Sequence, residues 1–123
     1  MKYLCLVYSE EKILNAMPKD ESDTFIDEHL ALREELENSG HSIDAEALQS
    51  VQNASTIRVR NGKVSITDGP FAETKEQLTG FYYVDARDLN EAIQIAAKIP
   101  AARIGSVEVR PIRDLVAERK SGS

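Results

Sequence analysis

His29 is the residue best placed for chemistry in this chain. It interrupts the apolar face of a helical pattern, four residues after Phe25 and three before Leu32. A histidine beside a carboxylate works as a general base near neutral pH, the acid fixing the tautomer of the ring. Asp68 is the first candidate for that carboxylate, with Glu73 and Glu108 behind it. The competing reading of His29 is a core or interface histidine bonded to backbone. Asp68 has a rival role too, because Asp68-Gly69-Pro70 is turn chemistry in which the aspartate caps nearby amides. Glu73 and Lys75 read either as ligand-binding groups on a pocket rim or as a solvated charged turn. Arg103 follows a helix stop, where it can bind an anionic ligand or neutralise the carbonyl end of the helix. Tyr82 and Tyr83 fit strand packing, or a hydroxyl held against a substrate.

Other chemistries find little footing. His29, His41 and the single cysteine, Cys5, match no usual ligand spacing, so no metal site is expected. No phosphate-binding loop, Gly-x-Gly-x-x-Gly or Ser or Cys nucleophile motif occurs, and no cofactor is expected. Cys5 lies inside the run Tyr3-Leu4-Cys5-Leu6-Val7-Tyr8 and reads as a small buried hydrophobe. A net charge of −6 repels phosphate backbones and argues against nucleic acid as a partner. The run at residues 3–8 is too short for a signal sequence or a membrane span, so a cytoplasmic protein without membrane contact is expected.

The elements that must position these groups follow from periodicity. A length of 123 residues, 41% of them hydrophobic, suits one domain with its own core. We assign that domain to residues 1–114 and a polar, mobile tail to 115–123. Residues 3–8 form a central strand. Residues 18–37 form a helix with Asp20 and Ser22 as candidate caps, a stripe of Phe25, Leu32 and Leu36, and Ile26 and Leu30 widening it. A short strand is expected within 41–48. Next, Thr56 to Thr67 around Asn61-Gly62 is a hairpin with a type I′ turn, pairing Val59 with Val64 and Ile57 with Ile66. Residues 78–84 form a strand with Leu78, Tyr82 and Val84 on one face and Phe81 and Tyr83 on the other. Asp88 caps a helix with a stripe of Ala92, Ile93, Ala96 and Ala97, and residues 106–110 form a last strand. The result is an α+β, ferredoxin-like βαββαβ layout with an inserted β-hairpin. Such a sheet leaves the face of Phe81 and Tyr83 open, and a second copy of the chain is the expected cover.

Two segments carry a family resemblance. Asp68-Gly69-Pro70-Phe71-Ala72-Glu73-Thr74-Lys75-Glu76-Gln77-Leu78, followed by Gly80-Phe81-Tyr82, resembles the DGPF subgroup of the YCII-related family. Ile99-Pro100-Ala101-Ala102-Arg103, followed by Gly105 to Pro111, is the second match, and Glu28-His29-Leu30-Ala31-Leu32 a weaker third. The resemblance implies a homodimeric α+β barrel around a pocket, with His29 at the active-site position. Simpler members carry an aspartate where this chain has Ile99, so the His-Asp dyad is only partly present, and Asp68 is the subgroup's substitute. Two functions follow. One is a cofactor-independent enzyme doing proton-transfer or elimination chemistry on a small molecule. The other is a non-catalytic ligand-sensing or interaction module linked to extracytoplasmic-function sigma factors, which the resemblance alone suggests as partners.

Overall fold

Alternation along the first strand sorts the molecule into two sides. In the computed structural model, which describes residues 1–121, β1 (Lys2–Ser9) buries Tyr3, Cys5, Val7 and Ser9. Leu4, Leu6 and Tyr8 point the other way and are half-buried. Both sides are apolar because the strand is central. β1 pairs antiparallel with β5 (Gln77–Asp85) and with β6 (Ser106–Pro111), and β2 (Ser42–Ala47) pairs antiparallel with β5. The four-stranded order is β2-β5-β1-β6. With the helices this is a mixed α+β fold of antiparallel sheets, compatible with a ferredoxin-like arrangement.

Between β1 and β2 in the chain lie α1 (Glu11–Ala16), which the sequence reading missed, and α2 (Lys19–Asn38). Neither Asp20 nor Ser22 caps α2. Pro18 holds the cap position with its fixed φ of −59°, and the Asp20 carboxylate accepts from the adjacent Glu21 amide instead. Leu32 and Leu36 are buried and Phe25 packs on the core, as the stripe requires. Ile26 and Leu30 do not join it; they are 51% and 54% exposed.

β3 (Ser55–Arg60) and β4 (Lys63–Asp68) form a separate two-stranded sheet, with Val59 opposite Val64 and Ile57 opposite Ile66. Asn61 and Gly62 have φ of 52° and 75°, both central residues left-handed as a type I′ turn demands. The register of β5 departs from simple alternation. Val7 pairs with Gly80 but Tyr8 with Leu78, so Thr79 is an extra, bulged residue. The bulge moves Leu78 off the face of Tyr82 and Val84, on which Gly80 is the last helix-facing residue before it.

Asp88 caps α3 (Leu89–Ala97), accepting from the Glu91 amide at 2.9 Å. The buried stripe is Ala92, Ile95 and Ala96 and continues to the fully buried Ile99; Ile93 and Ala97 face solvent. The i, i+3, i+4, i+7 spacing from Ala92 explains this choice. Leu115–Lys120, expected as mobile tail, forms α4, capped by Asp114 through the Ala117 amide; residues 122–123 lie outside the described residues.

Candidate functional site

The space between α2 and the sheet is not filled. Where a core would place Leu or Ile, the helix-facing positions at this end of the sheet carry Ser9, Ala45, Ala47 and Gly80, with Ala101 beside them. These short side chains leave a cavity of about 440 Å³, the size of a small-molecule site. Gly80 is needed there for a second reason. A Cβ on it would stand 2.7 Å from the Glu46 carbonyl oxygen of the neighbouring strand. The rest of the wall is mainly apolar, and Phe25, Ile26 and Leu30 of α2 line it. Ile26 and Leu30, exposed by count, are therefore cavity residues.

His29 enters this cavity from α2. Its ring points toward the sheet, as helical spacing predicts, and Nδ1 lies 2.7 Å from the Tyr82 hydroxyl of β5. Phe25, one turn earlier, packs edge-on against the ring with centroids 4.8 Å apart. Nε2 has no hydrogen-bond partner among the described residues and is not sealed in. Burial lowers the pKa of His29 below the ordinary imidazole value; the Glu28 carboxylate raises it in part, and the Arg103 guanidinium lowers it. The ring is therefore neutral at pH 7. Burial also pushes the Tyr82 phenol up to about 12, so its hydroxyl stays protonated.

The partner of His29 is thus a phenol and not a carboxylate. Asp68 ends β4 on the separate hairpin sheet, is exposed, and does not line the cavity. Glu73 and Lys75 sit in the exposed turn after it and do not line it either. Glu108 faces the opposite side of the sheet, where it accepts from the Tyr8 hydroxyl at 3.4 Å. Tyr83 is on that opposite side too, in register with Leu4. Arg103 does lie on the helix side, but its guanidinium is bound to Glu28 at 2.7 Å. Ile99, at the position of the missing aspartate, is an apolar core residue with no exposure.

Tyr82, expected as strand packing or as a hydroxyl held against a substrate, is instead the hydrogen-bond partner of His29. The signal was available: it alternates onto the helix-facing side of β5, and His29 sits on the sheet-facing stripe of α2. The Ser9 hydroxyl is buried and has no hydrogen-bond partner among the described residues. Among the described residues no cluster of His, Cys, Asp or Glu could hold a metal ion, and no helix is long and apolar enough to cross a membrane. Burial pushes the Cys5 thiol up to about 11, leaving it a core residue without nucleophilic character.

Two comparisons bear on this geometry. A family model described as the YCII-related domain matches residues 1–116. An uncharacterized protein of Rhizobium meliloti (strain 1021) is 36% identical over 114 residues, covering 91% of this chain and 92% of the relative.

Proposed function

This chain belongs to the YCII-related family, and from that premise we propose that it is a cofactor-independent acid–base catalyst acting on a small molecule in the α2–sheet cavity. One observation carries the reading. A neutral histidine that lines a mainly apolar cavity is held through Nδ1 by Tyr82, while Nε2 has no hydrogen-bond partner among the described residues. When Nδ1–H donates to the Tyr82 oxygen, the lone pair of Nε2 is available to take a proton. The low dielectric of the wall keeps that base uncharged until it acts, and removal of a proton next to a carbonyl, or elimination across a ring bond, is the chemistry it supports. The sheet face opposite the helices, with Leu4, Leu6, Phe81 and Tyr83, is the surface through which we infer a homodimer of barrel type to form. That assembly would use the molecule's second apolar side.

A second reading is favoured by a different feature. All four apolar residues of the hairpin face are exposed, Ile57 at 57%, Val59 at 56%, Val64 at 65% and Ile66 at 69%. An exposed stripe of this kind suits a non-catalytic interaction module in which the cavity senses a ligand. Proton exchange separates the two. A panel of phenols, ketones and lactones is incubated with the protein in D2O, and loss of the exchangeable carbon-bound protons is followed by NMR. The wild type should accelerate exchange in at least one compound and His29→Gln should abolish it. Saturable binding with no exchange would select the sensing module, and full exchange by His29→Gln would remove His29 as the base.

A further inference from the structure

Proton removal by His29 creates a charge that the ring alone does not stabilise. When Nε2 takes a proton from carbon, the C–H electron pair moves into the substrate and leaves negative charge on its carbonyl oxygen. In a mainly apolar cavity that charge is costly unless a donor or cation already stands where it develops. Among the described residues that line the cavity, Arg33 alone carries a fixed positive charge. It follows His29 by four residues on α2, so the two side chains leave the helix on one face. Its partner Glu46 of β2, at 3.5 Å, lines the same cavity, which sets the ion pair at the wall between α2 and β2. Burial raises the pKa of the Tyr82 phenol and the Arg33 charge lowers it in part, so the guanidinium lies within electrostatic reach of the hydroxyl that holds His29 Nδ1. The Arg33 side chain is also accessible, at 38% exposure. Its ties are loose. The carboxylates of Glu46 and Glu37 stand at 3.5 and 3.7 Å and are exposed, and such pairs contribute little. Arg103, in contrast, is closed by Glu28 at 2.7 Å and does not line the cavity.

We propose that Arg33 is the oxyanion-binding residue of the α2–sheet cavity, its guanidinium taking the carbonyl oxygen of a neutral ketone, ester or lactone as His29 removes the adjacent proton. The step balances within the site. The C–H bond breaks, the proton goes to Nε2, and its electron pair ends on the oxygen held by Arg33; return of a solvent-derived proton to carbon reverses it. Charge selects the substrate class. Glu11 and Glu46 line the cavity against the single cation Arg33, so a carboxylate ligand adds a third negative charge to the wall. Proton transfer from a neutral substrate to His29 adds none, because imidazolium and enolate form together. A charged guanidinium in a site of low dielectric then favours the enolate over the neutral carbonyl, which is what acceleration requires. This deepens the reading of His29 as a base and rests on it for the reaction, but binding of an oxyanion by Arg33 can be measured without turnover.

The dye 4-nitrophenol ionises near neutral pH, absorbs differently in its two forms and mimics an enolate when ionised. Bound to the protein at pH 7, its ionised-to-neutral ratio should be about tenfold lower in Arg33→Met than in the wild type, the loss of one charge-assisted hydrogen bond. Arg33→Lys should recover part of that ratio. Deuterium exchange from the carbonyl compounds should slow about a hundredfold in Arg33→Met, while its melting temperature stays close to that of the wild type, because exposed ion pairs add little. An unchanged dye ratio in Arg33→Met overturns the proposal, and so does a wild type that does not bind the dye. Acetophenone should bind the wild type more tightly than benzoate, and the reverse order overturns the substrate class. In the His29→Gln background Arg33→Met should still lower the dye ratio. If it does so while the wild type exchanges no compound, oxyanion binding by Arg33 stands and the reading of His29 as a base falls.

Discussion

At the scale of single residues, the pKa of His29 links the site to folding. Burial favours its neutral form, so the folded-state value lies below the unfolded value of about 6.5. Well above pH 6.5 both states hold a neutral ring and the group adds nothing to the pH dependence. As pH falls through about 6.5 the unfolded chain takes up a proton that the folded chain resists, and stability drops. Asp85, Asp88 and Glu91 behave in the opposite sense. Their carboxyls are held below the usual range, Asp85 chiefly by its hydrogen bond to the N-terminal ammonium, Asp88 by the Glu91 amide and Glu91 by the Arg87 amide. Stability from these three is present above the ordinary carboxylate values and is lost as pH falls below them. The two windows are separate. The urea midpoint of the wild type should therefore fall between pH 7 and 5, and His29→Gln should flatten that interval while the loss below about pH 4 persists. An unchanged slope between pH 7 and 5 in the variant would show that the ring is not the group responsible.

At the scale of elements, the hairpin shows how far local chemistry reaches on its own. Asn61-Gly62 specifies the turn, the turn specifies the register, and the register agrees with the apolar pattern. Gly62 has φ of 75° with nothing within 4 Å of where a Cβ would stand. A valine there meets no clash and pays only for its backbone conformation, so Gly62→Val should destabilise by roughly 1 kcal/mol or more. Chemical denaturation against the wild type checks this, and an unchanged midpoint would contradict a left-handed residue at that position. The same local logic read the caps and stops of α3, and it fails where tertiary context intervenes. Leu78 keeps β-alternation in the sequence, but the bulge at Thr79 turns it over, and no residue type there announces it. The stripe of α3 was misplaced by one position because Ile93 and Ile95 are indistinguishable by type, and only the docking of Ile99 selects between them. The site divides the same way. His29 on its stripe was legible from helical spacing. Alternation also set Tyr82 on the helix-facing side of its strand, but its pairing with His29 depends on how α2 docks on the sheet, and the acidic motif at Asp68 is the more conspicuous one in the sequence.

At the scale of the whole molecule, one apolar layer is used and another is not. The buried cluster joins Tyr3, Cys5, Val7, Tyr82 and Val84 of the sheet to Leu32 and Leu36 of α2 and to Ala92, Ile95 and Ala96 of α3. Leu4, Leu6, Phe81 and Tyr83 stay outside it on the reverse of the same strands, Leu6 opposite Phe81 and Leu4 opposite Tyr83. Four large side chains in two adjacent cross-strand pairs make a contiguous patch, and the flanking residues Asp44, Glu46, Glu108 and Arg110 supply a charged margin of the kind that rims an interface. A second copy presenting the same face would bury both patches about a two-fold axis, and an isologous contact needs only this one surface to be self-complementary. The chain should therefore sediment as a dimer at micromolar concentration. Phe81→Asp should shift it to monomer, because it sets a charge without a partner at the centre of each desolvated patch, twice per dimer. Its far-UV circular dichroism should match that of the wild type, since Phe81 is not part of the buried cluster. A wild type that sediments as a monomer at that concentration, or a Phe81→Asp variant that remains dimeric, would place the contact elsewhere, and the exposed apolar face of the hairpin would then be the surface to test.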